Sequence, residues 1–237
     1  MKITTVISDL LTGTAAKPMT APRLVIPTPA EGIEVRLMSA YWAAVNRRGG
    51  VCDLSKVEAP IRRVAAILSG DCKAIRCGMI LCGHPGTGKS TLLRAIIRTI
   101  KSYRATGCYA DYIRVHGGGM KRYLSTAYIS AEEYATLISH YPDTEKAAEI
   151  PATMVLAVDD IGEEPLEVTS YGTTRYPVRD LISRRYDRQL VTLLATNLTP
   201  AELTAKYGNR LGDRLAEMCE VVTMTGESFR RDRGKRP

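Results

Sequence analysis

The segment that most constrains this chain is Gly83-His84-Pro85-Gly86-Thr87-Gly88-Lys89-Ser90. It reads G-x-x-x-x-G-K-S, the P-loop pattern. Its flanks have the order such a loop demands. Met79-Ile80-Leu81-Cys82 is a short apolar run suited to a buried strand. Beyond the loop, Leu92, Leu93, Ile96, Ile97 and Ile100 recur on one helical face. Glycines let backbone N–H groups turn inward around phosphate oxygens, and the helix N-terminus adds its dipole. The segment Gly83, His84, Pro85, Gly86, Thr87, Gly88, Lys89, Ser90 and Thr91 is therefore the expected ATP-binding loop. Lys89 is expected at the β- and γ-phosphates and the Ser90 hydroxyl on Mg²⁺. His84, at a variable position of the pattern, reads as loop filling.

A chain of 237 residues, 45% of them hydrophobic, can bury one α/β core and a small appendage. It contains no run of 18 apolar residues, so no membrane span is expected. The start, Met1 to Asp9, lacks a cleavage-like site and does not read as a signal peptide. Six cysteines form no C-x-x-C pair, and Cys72, Cys77 and Cys82 lie five apart, a poor fit to zinc. With a nucleotide site, this suggests free thiols in a reducing cytoplasm. A net charge of +8 favours an anionic partner, with nucleic acid the first candidate.

Along the chain, residues 1–11 suit a short helix or strand. Thr12 to Gly32 carries four prolines and reads as a linker or extended arm rather than a core element. Ile33, Leu37, Tyr41 and Val45 mark an amphipathic helix stopped by Gly49-Gly50. A second helix is expected over about 56–68, with Ile61, Val64, Ala65 and Leu68 on one face. These two helices either pack on the nucleotide domain or form a partner-binding module. Tyr109 to Val115 alternates like a strand, and His116 to Arg122 is a Gly-rich loop with Lys121 and Arg122, either a surface turn or a nucleic-acid contact. A strand over Tyr123 to Ile129 and a capping box at Ser130 and Glu133 precede a helix ending near Ser139.

Met154-Val155-Leu156-Ala157-Val158-Asp159-Asp160 is a continuously apolar strand ending in two acids. Such continuity means burial on both faces, as in a parallel sheet, whose strand ends face ligands. Behind a P-loop this is the Walker B pattern, with Asp159 for Mg²⁺ and Asp160 for the attacking water. Pro177 to Arg188 reads as a helix with Val178, Leu181, Ile182 and Tyr186 on one side and Arg179, Arg184, Arg185 and Arg188 elsewhere. Leu190 to Asn197 is a second buried strand, ending in a polar side chain able to reach water near the γ-phosphate. Thr199-Pro200 opens a helix that Gly208 ends, Asn209 to Met218 forms another, and Glu220 to Met224 a last strand.

The fold class expected is α/β, a three-layer P-loop parallel sheet with a small N-terminal helical segment and no separate lid domain. The divisions are 1–32 arm and linker, 33–75 helical segment, 76–230 ATPase domain and 231–237 basic tail. The sequence resembles the DnaC/IstB-like branch of AAA+ ATPases, bacterial helicase loaders and transposition helpers of the ASCE type. The resemblance rests on GHPGTGKST (83–91), VLAVDDIGEE (155–164), RRYDRQLVTLLATNL (184–198), YGNRLGDRLAEM (207–218) and TGESFR (225–230), in family order. It implies Asn197 as sensor 1, Arg214 as an arginine finger presented to a neighbouring subunit, with Arg210 the second choice, and Arg230 as a sensor-2-like arginine. It implies ATP-dependent homo-oligomers, a replicative helicase as partner and single-stranded DNA along basic loops. Lys121, Arg122, Arg175, Arg179 and Arg184 are the basic candidates. The Asp-Asp ending, where many AAA+ ATPases have Asp-Glu, implies slow hydrolysis. The first 75 residues match no module of the family. Competing readings are a transposition helper on duplex DNA, a P-loop small-molecule kinase and a nucleotide-gated adaptor with little turnover.

Overall fold

The computed structural model describes residues 24–26, 28–47, 54–70, 78–105, 111–112 and 125–225. In chain order the elements open with β1 (Leu24–Val25), α1 (Ala30–Asn46), α2 (Ser55–Ser69), β2 (Gly78–Cys82) and α3 (Lys89–Ala105). β3 (Asp111–Tyr112), β4 (Thr126–Ser130), α4 (Ala131–His140), α5 (Glu145–Ala152) and β5 (Val155–Ile161) follow. A hairpin of β6 (Val168–Ser170) and β7 (Thr173–Arg175) leads to α6 (Pro177–Asp187) and β8 (Val191–Thr196). The described chain closes with α7 (Pro200–Tyr207), α8 (Asn209–Met218) and β9 (Cys219–Thr223).

The apolar runs without helical spacing became strands covered on both sides. Every residue of β2 and β8 is buried, and every residue of β5 except Asp160. With β4 and β9 they form a parallel five-stranded sheet in the order β4-β5-β8-β2-β9. β8 thus lies between the P-loop strand and the Asp-Asp strand. Alternation along β2 divides the core. Met79 and Leu81 face one cluster with α1, α2 and α3, while Ile80 and Cys82 face the other with α4 to α8. The result is the three-layer arrangement expected.

Of the two readings left open for α1 and α2, packing is the one observed. Ile33, Leu37, Tyr41, Ile61, Val64 and Leu68 share a core with Leu92, Leu93 and Ile96 of the P-loop helix. One expectation is corrected here. Leu24 and Ile26, within the stretch read as a non-core arm, are 4% and 1% exposed and sit in that same cluster. The apolar triplet Leu24-Val25-Ile26 between two prolines outweighs the linker composition around it. β1 pairs antiparallel with β3, and Ile26 N–H donates to Leu68 O at 2.7 Å. The expectations for residues 1–23, 27, 48–53, 71–77, 106–110, 113–124 and 226–237 lie outside the described residues.

Local caps act as the sequence indicated. Ser130 and Glu133 form a reciprocal capping box, and Thr199 and Glu202 form another above Pro200. The helix α5 and both strands of the β6–β7 hairpin are not anticipated by the sequence. α5 is capped by Thr144, whose Oγ1 accepts from Ala147 N–H at 3.4 Å. The β6–β7 hairpin turns at Tyr171 and Gly172, both with positive φ (49° and 75°), the signature of a two-residue turn matched to strand twist.

Arg185 is the second correction. It was placed among the side chains off the apolar face, yet it is 0% exposed. Its Nε donates to Thr192 Oγ1 at 2.9 Å, Nη1 to Pro151 O at 3.1 Å and Thr153 O at 2.8 Å, and Nη2 to Val191 O at 2.5 Å. One guanidinium thereby ties the end of α5, the start of β8 and α6 together. The fork geometry of five donors makes this possible, where a lysine ammonium could serve only a point.

Candidate nucleotide-binding site

Parallel pairing brings the sequence-predicted groups to one edge of the sheet. Cys82 pairs with Thr196 on one side and Thr223 on the other. Gly83, one residue past Cys82, and Asn197, one past Thr196, therefore leave adjacent strands together. Ser130 pairs with Asp159.

The loop from Gly83 to Gly88 joins β2 to α3, and α3 begins at Lys89. Gly83 adopts φ 156°, and a Cβ there would lie 2.3 Å from Met224 O. Only glycine lets the loop leave between β8 and the chain after β9, where Met224 N–H donates to Cys82 O at 2.7 Å. Gly86 and Gly88 both have positive φ. Thr87 closes the turn with Oγ1 donating to His84 O at 2.9 Å. The His84 side chain is exposed, and its carbonyl does the structural work of the residue. Lys89 is 5% exposed and its Nζ donates to Gly83 O at 2.6 Å and His84 O at 2.8 Å, so the ammonium lies across the loop. Ser90 follows on the first turn of α3, half-buried, and Thr91 is buried behind it. Burial pushes the Cys82 thiol up to about 11, with the Lys89 charge opposing the shift. The thiol below the loop is therefore protonated at neutral pH and is not a nucleophile.

The acids separate because of a bulge. Val158 pairs with Leu194 and Ile161 with Thr196, so Asp159 and Asp160 together oppose the single residue Ala195. Asp160 takes the extra position with φ 54°, a left-handed conformation that aspartate tolerates. Asp159 stays inside at 2% exposure, and Asp160 is turned out to solvent. Asp160 N–H donates to Asp159 Oδ1 at 3.1 Å. The Tyr128 hydroxyl donates to Asp159 Oδ2, and Arg94 Nη2 lies 3.9 Å from that oxygen. The Arg94 guanidinium also sits over the Tyr128 ring, 4.8 Å from its centroid. Burial, and then the Asp159 carboxylate, push the Tyr128 hydroxyl well above its ordinary value, so it remains a donor.

Asn197 Nδ2 donates to Glu163 Oε1 at 2.9 Å. Below it, Thr196 Oγ1 donates to Ile161 O at 2.6 Å and accepts from Leu198 N–H at 3.0 Å, which fixes the chain on either side. The next acid, Glu164, is 2% exposed and accepts from Gly162 N–H at 2.8 Å and from the Tyr207 hydroxyl. Lys206 Nζ donates to Gly162 O at 2.6 Å and Glu164 O at 2.8 Å. This cluster clamps the loop after β5 to α7. The sequence assigns no role to Tyr128, Arg94, Glu163 or Glu164, although Gly162-Glu163-Glu164, one residue beyond the Asp-Asp pair, is a signal for the last two.

Arg214 is not brought to this chain's own loop. It projects from the middle of α8, with Nη2 3.4 Å from Asp187 Oδ1 and its guanidinium 5.0 Å from the Tyr186 ring centroid. Asp187 ends α6 just before β8 begins, at the sheet edge away from the P-loop. Arg210 is exposed on the same helix. Of the basic candidates, Arg179 stacks 3.6 Å from the Tyr176 ring centroid, Arg184 is exposed and Arg175 half-buried. Arg230, Lys121 and Arg122 lie outside the described residues.

The donor set fits a hard cation carried by phosphate. It offers a serine hydroxyl and a buried carboxylate, both oxygen, beside a loop of turned amides and an ammonium. Among the described residues no group of three His, Cys, Asp or Glu could hold a metal alone, and no helix is long and apolar enough to cross a membrane.

No curated protein matches the chain. Among solved structures it is similar to the DnaC helicase loader, at 22% identity over 62% of this chain and 78% of that one, TM-score 0.44. DnaI is similar at 18% identity over 64% and 72%, TM-score 0.45. AMPPCP-bound DnaA from Aquifex aeolicus is similar at 17% identity over 76% of this chain and 50% of that one, TM-score 0.48. Residues 79–216, more than half of the chain, match the ATPase family associated with various cellular activities, and the protein belongs to this AAA family.

Proposed function

We propose that the protein binds ATP with Mg²⁺ at Gly83–Thr91, hydrolyses it slowly and acts as a DNA-replication accessory factor of the DnaC-like, helicase-loading kind. The observation that carries the ATP reading is the bulge that keeps Asp159 inside while turning Asp160 outward, beside the P-loop and Asn197. Lys89 would meet the β- and γ-phosphates, and Ser90 and Asp159 would hold the cation, which neutralises phosphate charge when bound. Asp160 would orient the attacking water, and the Asn197 amide would report on the γ-phosphate. Arg214 would complete the site of a neighbouring copy, which fits its distance from its own loop and links assembly to nucleotide. Arg230 would add a further contact from the same chain.

The loading role, with a replicative helicase as partner and single-stranded DNA as ligand, is supported by the resemblance of five ordered motifs and by the net charge of +8. It is tested by DNA binding with ATP present across a salt series. Affinity should fall linearly with salt on logarithmic axes, as phosphate contacts release counterions. Absent or salt-insensitive binding overturns the role, a preference for duplex favours a transposition helper, and a phosphorylated acceptor in place of free phosphate identifies a kinase.

A further inference from the structure

We infer that Tyr128 is a positioning residue for the cation-holding carboxylate of Asp159. The inference rests on the Mg²⁺–ATP reading of the site and deepens it. Parallel register puts Tyr128 on β4 beside Ala157 on β5, two residues before the Ser130–Asp159 pair. From there its hydroxyl donates to Oδ2 of Asp159. The other oxygen, Oδ1, accepts the Asp160 N–H at 3.1 Å. Each carboxylate oxygen thus has one fixed donor, and the plane of the group is set from both sides. The carboxylate is 2% exposed, so water cannot hold it in place of the tyrosine. The ring is steadied in turn by the Arg94 guanidinium, 4.8 Å from its centroid and anchored on the P-loop helix one turn beyond Ser90. Asp159 would be poorly aimed without this support, because the bulge interrupts pairing with β8 between Val158 and Ile161 and leaves Asp159 paired on the β4 side alone.

Partners that orient a metal-binding carboxylate commonly change metal affinity by about 10–100-fold when removed. The experiment compares ATP binding by calorimetry in EDTA and across a Mg²⁺ titration, for the wild type, Tyr128→Phe, Tyr128→Leu, Asp159→Asn and the double variant Tyr128→Phe/Asp159→Asn. Tyr128→Phe keeps the ring and removes one hydroxyl. It should raise the half-saturating Mg²⁺ concentration about 10-fold while leaving binding in EDTA within twofold. The same change in an Asp159→Asn background should add nothing, since the two effects share one carboxylate. An unchanged half-saturating concentration in Tyr128→Phe overturns the inference, and so does a shift confined to Tyr128→Leu, which would assign the residue to packing. A wild type whose ATP binding ignores Mg²⁺ would instead overturn the reading of the site beneath it.

Discussion

Arg185→Met is expected to unfold more readily than the wild type by about 3–5 kcal/mol, or on the order of 10 °C in melting temperature for a chain of this size. The methionine fills much of the space but donates nothing. Pro151 O, Thr153 O, Val191 O and Thr192 Oγ1 would each lose a donor. Each buried acceptor left unpaired costs about 1–3 kcal/mol, partly recovered by relaxation. Arg185→Lys restores the charge but only a point donor, and should recover less than half of the loss. Thermal and urea unfolding check this. A melting point within 2–3 °C of wild type for Arg185→Met would show that the guanidinium is dispensable, as some buried polar groups are.

Under the proposed finger role, Arg214→Ala is expected to lower ATP turnover by about 10³-fold or more at high protein concentration, with ATP affinity of the monomer unchanged. A finger acts on the neighbour's phosphate, so chains that keep Arg214 but carry a disabled site of their own should rescue it. Mixing Arg214→Ala with Asp160→Asn chains should therefore restore activity at mixed interfaces. In the isolated chain Arg214 rests on Tyr186 and reaches Asp187, with 16% of its side chain exposed. If that tie is all it does, the variant melts lower and hydrolyses normally, which leaves the finger to Arg210 or to neither.

Features set by local spacing were legible in the sequence. The P-loop, the apolar strand before it, the capping box at Ser130, the cap at Thr199 and the two acids near the end of β5 all depend on residues within a few positions of each other. Their gathering at one edge followed from strand continuity alone, since continuously apolar strands belong to a parallel sheet. What stayed hidden depends on register between distant segments. Nothing in Asp159-Asp160 says that one will be buried and the other turned out, because that is decided by Ala195 being the single residue opposite both. Tyr128 reaches Asp159 only because β4 pairs with β5 in one register out of several. Arg185 is a different case. Its spacing from Val178, Leu181 and Ile182 puts it on the apolar face, and the sequence reading let charge outweigh periodicity. Leu24 and Ile26 are buried although the prolines and small residues around them read as a linker, because the apolar triplet they belong to outweighs that composition.

The most direct test of the account is ATP binding in Mg²⁺ by the wild type and by Lys89→Ala. The ammonium lies across the loop on Gly83 O and His84 O, where a phosphate would meet it. The wild type should bind ATP, and the variant should bind it about 10–100-fold more weakly with its melting temperature in the nucleotide-free state little changed, since a hydrogen bond to a charged group is worth about 1.5–3 kcal/mol. Equal affinity in the two proteins, or no ATP binding by a folded wild type, would contradict it.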